Sequence, residues 1–204
     1  MHDSGSAYRL SPQQRRIWSL QQETGAALAQ AGVIVEGELD RDLLRGVLAR
    51  ITEDHEILRT VFPTPQGMKQ PAQSVLEHAG LSWSEAGCGS VPSEEISEAA
   101  QVASLLAEER SLGLGVARGP LLLVRLAALA PGRHLLVLTL PALCADSWTL
   151  EVLVREVAER YAAAVARREW DDQPLPYIQF SEWQNDLIDG EAGEAGRAFW
   201  SRNG

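Results

Sequence analysis

The sequence predicts an α/β (α+β) sandwich in which one mixed sheet is covered by helices. Three observations carry that reading. Segments with apolar residues at three- and four-residue spacing interleave with short apolar runs, instead of forming separate blocks. The run 134–140 contains Leu-Leu-Val-Leu-Thr-Leu without alternation, the pattern of a strand buried on both faces. The segment 148–168 carries Leu150, Leu153, Val154, Val157, Tyr161 and Val165, a stripe that only a helix brings to one side.

Taken in order, Ser11-Pro12 opens a first helix: Ser11 can accept from a free N–H of the first turn, and Pro12 has no N–H to waste there. That helix carries Ile17, Trp18 and Leu20 and ends near Gly25. A strand is expected over 31–39, with Val33 and Val35 alternating against Ile34 and Glu36. Asp40 caps a second helix whose Leu43, Leu44, Val47, Leu48 and Ile51 share a face. Residues 58–62 read as a strand stopped by Pro63 and Pro65. Gln66-Gly67 turns the chain into a return strand over 68–75. A further strand is expected over 81–85 and a loop over 87–92. Ser93-Glu94-Glu95 begins a third helix with Ile96, Ala99, Ala103 and Leu106 on its face, closed by Gly113, Gly115 and Gly119-Pro120. Strands over 121–130 and 134–140, joined at Pro131-Gly132, form a long central hairpin with Arg125 inside its first arm. After the helix over 148–168 come a connector over 171–176, a helical stretch over 177–188 and an amphipathic segment over 191–200.

The 204 residues suffice for one domain, here expected over 8–204 behind a disordered segment 1–7. The formal net charge of -10, from 28 acids and 18 bases, argues against nucleic acid and anionic membranes, both of which need a concentrated positive face. No apolar run approaches the ~18 residues of a membrane helix, and the polar start shows no signal peptide. Cys88 and Cys144 form no CxxC or ligand cluster and read as reduced thiols of a cytoplasmic protein.

Four segments then stand out. The first is 10–20, with Ser11, Gln14, Arg15 or Arg16, and Ile17-Trp18. The second is Asp54-His55-Glu56-Ile57-Leu58-Arg59-Thr60-Val61-Phe62. The third begins at Gly119-Pro120-Leu121-Leu122 and continues through the hairpin to 141–148. The fourth is 177–184, with Tyr177, Trp183 and Gln184. In this order they resemble the motifs of a nonribosomal peptide synthetase condensation domain, from about Tyr8 onward. The second segment is similar to the family's Arg-His-Glu-x-Leu-Arg-Thr-x-Phe, with Asp54 the one departure. The resemblance implies a chloramphenicol acetyltransferase-like half-domain: the N-terminal lobe of a two-lobed V whose second lobe is absent.

The resemblance also implies a site. The family's His-His-x-x-x-Asp-Gly falls on Pro141-Ala142-Leu143-Cys144-Ala145-Asp146-Ser147. Ala142 stands where the catalytic His is expected and can neither accept nor donate a proton. Of the pattern only Asp146 is kept; Pro141 replaces the first His and Ser147 the Gly. The family relationship pairs Asp146 with Arg59 as scaffold, makes His55 structural, and leaves Asp146 or Ser147 to cap the next helix. His134 lies one strand-length away, on the order of 25 Å from Ala142 at ~3.3 Å per residue, and His2 and His78 lie elsewhere. Cys144 has no adjacent base and reads as a small buried thiol. Trp18, Trp148, Trp183 and Trp200 read as core or interface, and Arg167-Arg168 as a solvated helix end. The expectation is therefore a lobe that is not an enzyme by itself and binds no cofactor or metal. It would serve as a platform for an adenylation domain or a peptidyl carrier protein with its phosphopantetheine arm. Arg15 and Arg16 would offer a basic contact to an acidic carrier. Two other expectations stand beside it: a condensation domain working without that His, its second lobe elsewhere, and a homodimer whose two copies make the V.

Overall fold

The computed structural model describes residues 7–25, 27–86, 97–111, 113–171 and 173–203. The expected loop over 87–92, the expected start of the third helix at 93–95, Ile96 and nearly all of the N-terminal segment lie outside them. Helix α1 is Pro12–Thr24. Ser11 accepts from the Gln14 N–H while the Gln14 side chain accepts from the Ser11 N–H, a reciprocal capping box, and Gly25 ends the helix at φ 89°. Strand β1 is Leu28–Glu36, and α2 is Arg41–Asp54, capped by Asp40 on the Leu43 N–H.

The strand expected over 58–62 is mostly something else. Glu56–Arg59 is a 3₁₀ turn, and only Thr60–Val61 is strand, β2, paired with Ser74–Val75, β3. Leu58 and Phe62 are buried all the same. Their apolar character was a burial signal, and a turn met it as well as a strand would. Next are β4 (Ser82–Ala86), α3 (Glu98–Ser111), β5 (Leu123–Ala130), β6 (Arg133–Pro141), α4 (Ser147–Val165), α5 (Tyr177–Asp189) and α6 (Glu191–Asn203).

The main sheet has the order β1-β6-β5-β4. The expected hairpin is its centre: β5 and β6 pair antiparallel, with a bulge between Ala128 and Ala130. β1 runs antiparallel to β6 from Leu28 opposite Pro141 to Glu36 opposite Arg133, which is why it begins and ends three residues before the expected strand. β4 joins β5 in parallel, so the sheet is mixed.

Helices cover both faces. On one, Leu44, Leu48 and Ile51 of α2 and Leu150, Leu153 and Val157 of α4 meet Val124, Leu126, Leu136, Leu138 and Leu140 in one core. Each fully buried Leu or Ile there contributes about 1.5–3 kcal/mol. On the other, Val102, Leu105 and Leu106 of α3 lie on Ala127, Leu135 and Val137. The expected face of α3 is thus rotated: Ala99 and Ala103 are exposed. Gly32 permits the approach, since a Cβ there would stand 3.3 Å from a Leu106 methyl. The same face explains Arg125, which pairs with Glu108 and Glu109 at 3.0 and 3.2 Å. No helix among the described residues is long and apolar enough to cross a membrane.

Candidate functional site

The segment 141–147 joins β6 to α4. Pro141 is the last residue of β6, and the Ala142 N–H donates to the Ala27 carbonyl, carrying the ladder one step past the strand. The Cys144 N–H then donates back to Pro141, closing a turn. That turn buries Leu143, Cys144 and Ala145 and leaves Ala142 half-buried and Asp146 and Ser147 exposed. Ala142 therefore stands at the surface of the turn with a methyl group. Burial pushes the Cys144 thiol well up from its usual value, which keeps it protonated and non-nucleophilic.

Asp146 does not meet Arg59. Its carboxylate accepts from the Thr149 N–H and hydroxyl, both at 2.8 Å, as the N-cap of α4. Those bonds hold its carboxyl below the usual carboxylate range. Arg59 instead donates to the Glu53 and Leu76 carbonyls, tying the end of α2 to the chain after β3. The expected Arg59–Asp146 pair is corrected accordingly. Each side chain finds a nearer backbone partner, and a helix N-terminus already satisfies an exposed carboxylate.

His55 is the C-cap of α2 and sets Nε2 2.8 Å from Glu156 of α4. Burial works against the charge of Glu156, but its bond to His55 and the charge of Arg160 outweigh it, and its pKa lies below the usual value. His134 is buried at the far end of β6, opposite Val35 and Ala128, with no hydrogen-bond partner at Nδ1. His78 is exposed beside Glu53. On α1, Arg15 is half-buried and Arg16 exposed. Among the described residues, His55, His78 and His134 all lie outside the turn, and no group of three or more His, Cys, Asp or Glu could hold a metal ion. A cavity of about 560 Å³ lies away from the turn, beside Glu159, Arg168, Trp170 and Asp171.

The sequence reading missed Arg160. It is 5% exposed, pairs with Asp54 and Glu156, and lies under Trp170 at 5.3 Å. Its signal was present: it follows Val157 by three residues, inside the apolar stripe of α4.

The conspicuous surface is apolar. On α5, Tyr177, Phe180 and Trp183 form a tilted aromatic ladder with ring centroids 6.0 and 5.9 Å apart, and Leu187 follows it. Trp183 is 59% exposed; on α6, Phe199 packs edge-on to Trp200, which is 70% exposed. Trp148, just after the turn, is also 70% exposed. Scattered exposed apolar residues are ordinary; here exposed aromatics gather on two consecutive helices, α5 and α6.

Comparisons agree with this geometry. The condensation-domain family profile matches residues 5–203. The chain is 31% identical over 198 residues to chondramide synthase cmdD of Chondromyces crocatus, covering 95% of this chain and 5% of that protein. It is 30% identical over 203 residues to a dimodular nonribosomal peptide synthase of Bacillus subtilis, covering 94% and 8%. It superposes on the starter condensation domain of the rhizomide synthetase with a TM-score of 0.83 at 16% identity, covering 98% of this chain and 48% of that one. A complex of the X-domain and OxyB from teicoplanin biosynthesis aligns with a TM-score of 0.74 at 25% identity, covering 94% and 41%. The chain thus spans about half of these solved chains and a small part of the synthases.

Proposed function

The chain belongs to the condensation-domain family, and from that membership we propose that it is a non-catalytic condensation-like lobe, an interaction platform inside a nonribosomal peptide synthetase. The partner is an adjacent adenylation domain of the same assembly, seated on the apolar face of α5 and α6. One observation carries the reading: exposed aromatics stand on both α5 and α6 in a lobe whose motif turn presents Ala142 and a buried thiol. At Ala142 such a turn offers no imidazole to an attacking amine, whereas aromatic surface is what protein interfaces concentrate. The X-domain relative, solved in a complex with OxyB, adds support, because there a domain of this fold is one side of a protein–protein contact. A carrier's phosphopantetheine arm would be the partner's group, not a resident cofactor of this lobe, and the lobe would work in the cytoplasm. Arg15 and Arg16 remain the residues offered to an acidic carrier.

The test is a pull-down of this lobe with the separate adenylation and carrier domains of its own synthetase, the bound species weighed by light scattering. A one-to-one complex with the adenylation domain, lost in Trp183→Ser and Trp200→Ser, is the expected result. No complex with the adenylation domain would overturn it. The half-length match fits a second reading equally, in which the lobe is one wall of a condensation domain completed elsewhere and positioning of two tethered thioesters supplies the rate. Binding only to an acyl-loaded carrier, with amide formed by the full-length protein, would support that reading. A mass of two lobes without either partner would favour the homodimer.

A further inference from the structure

Two buried glutamines link α5 to the motif turn. Gln14 and Gln73 are 1% and 0% exposed. The Gln14 side-chain oxygen accepts from the Ser11 N–H, and its amide nitrogen donates to Gln73 Oε1 and to the carbonyl of Leu143, each at 3.1 Å. Gln73 Nε2 donates to the Arg9 carbonyl at 2.7 Å and to Ser181 Oγ of α5 at 3.1 Å. Its backbone exchanges both hydrogen bonds with Tyr8. The two amides therefore use both of their N–H groups and an oxygen each, in one orientation. Turning either amide over would set donors against donors, so the seam is either joined throughout or broken. A second link runs alongside: Tyr177, the first residue of α5, shares a hydrogen bond with Ser11 at 3.1 Å. Asn185 Nδ2 fixes the next turn of α5 to the Leu10 carbonyl.

We infer that Gln14 and Gln73 are positioning residues that hold the 141–147 turn through the Leu143 carbonyl according to where α5 lies. The helix that carries the aromatic ladder is thereby coupled to the turn that carries Ala142. A surface that docks on α5 and displaces it breaks the Ser181–Gln73 bond, leaves Gln73 held by the Arg9 carbonyl and Gln14 alone, and loosens the hold of Gln14 on Leu143. This coupling goes beyond the functional proposal and holds for a platform and for a catalytic wall alike.

Cys144 reports the state of the turn, because its thiol reacts only when the turn opens. In the full chain carrying Cys88→Ser, the rate of thiol labelling is measured for Gln73→Leu, Ser181→Ala and Leu106→Ala, with global stability of each measured by urea unfolding. Leu106 lies on the opposite face of the sheet and sets the rate expected from lost stability alone. Gln73→Leu should label about tenfold faster than Leu106→Ala at equal stability, and Ser181→Ala, a change in α5 itself, about threefold faster. Ser181→Ala should add little on top of Gln73→Leu, because the other bond of Ser181, donated to the Arg9 carbonyl, does not reach the turn. Should Gln73→Leu fail to fold, Ser181→Ala decides the matter. Labelling that follows global stability in every variant would overturn the coupling.

Discussion

Arg160, buried in α4, holds Nη1 2.5 Å from the carboxylate of Asp54 at the end of α2. Asp54 is the position at which the second motif departs from the Arg of the family pattern. A cation there would face the Arg160 guanidinium inside the protein, and the carboxylate removes that conflict. Nη2 stands 2.6 Å from Glu156 but off the hydrogen-bond direction, so that contact is Coulombic, while Nε has no hydrogen-bond partner.

Breaking this pair is therefore costly. Asp54→Ala should lower the unfolding free energy by about 2–4 kcal/mol, because it leaves a buried cation with one carboxylate and a ring face. Asp54→Ala with Arg160→Met should recover most of the loss. Urea unfolding of the two single variants and the double variant gives the coupling directly, and strict additivity would contradict the pairing.

The N-cap of α4 gives a pH-dependent prediction. The folded pKa of Asp146 is lowered, so its contribution to stability is complete above the usual Asp value of 3.8 and disappears as pH falls through the folded value. Asp146→Ala should cost about 1 kcal/mol at neutral pH, and Asp146→Asn much less. In acid the gap between wild type and Asp146→Asn should close, as thermal unfolding against pH would record. Glu156 acts in the same direction, because its folded pKa is also lowered.

Periodicity made α2 and α4 legible, since each turns one face to one core, while the unbroken apolar run of β6 marked a strand buried on both faces. The Ser11 N-cap was legible too, because its partner sits three residues on, but the answering bond to the Gln14 side chain was not expected. What remained hidden depended on partners distant in sequence. β4 pairs in parallel with a strand forty residues later, and nothing within Ser82–Ala86 announces that direction. The 3₁₀ turn at Glu56–Arg59 hides behind apolar residues that suit a strand equally well. At the candidate site, the chain order of Ala142 to Asp146 was readable, but the partner of each polar group was not. Gln73 looked like a residue in a return strand, and its side chain ties α1 to α5. Arg59 turned to carbonyls that leave no mark in a sequence.

The close turn between α5 and α6 should fail on a small change. A Cβ on Gly193 would overlap the Ile188 carbonyl, which is backbone and cannot swing aside. Among the elements of the lobe α6 rests chiefly on α5, so Gly193→Ala should release it while the sheet stays intact. Faster hydrogen exchange confined to 191–203, with a melting temperature within about 3 °C of wild type, is the expected result. Loss of protection throughout β5 and β6 would contradict it.

The exposed aromatics should matter to binding and not to folding. Trp183→Ser and Trp200→Ser are expected to change stability by no more than about 0.5 kcal/mol, since both rings are mostly in solvent. Their effect on the partner complex should be at least about tenfold, the scale of interface aromatics. Isothermal titration beside urea unfolding separates the two quantities.

Arg9 reaches across to Glu182, Asp186 and Asp189, three carboxylates along one flank of α5. Residues that are 173 to 180 positions apart in sequence thus lie side by side. The first described residues are thereby pinned to α5, so a pull on the leading segment bears on that late helix before it reaches the sheet.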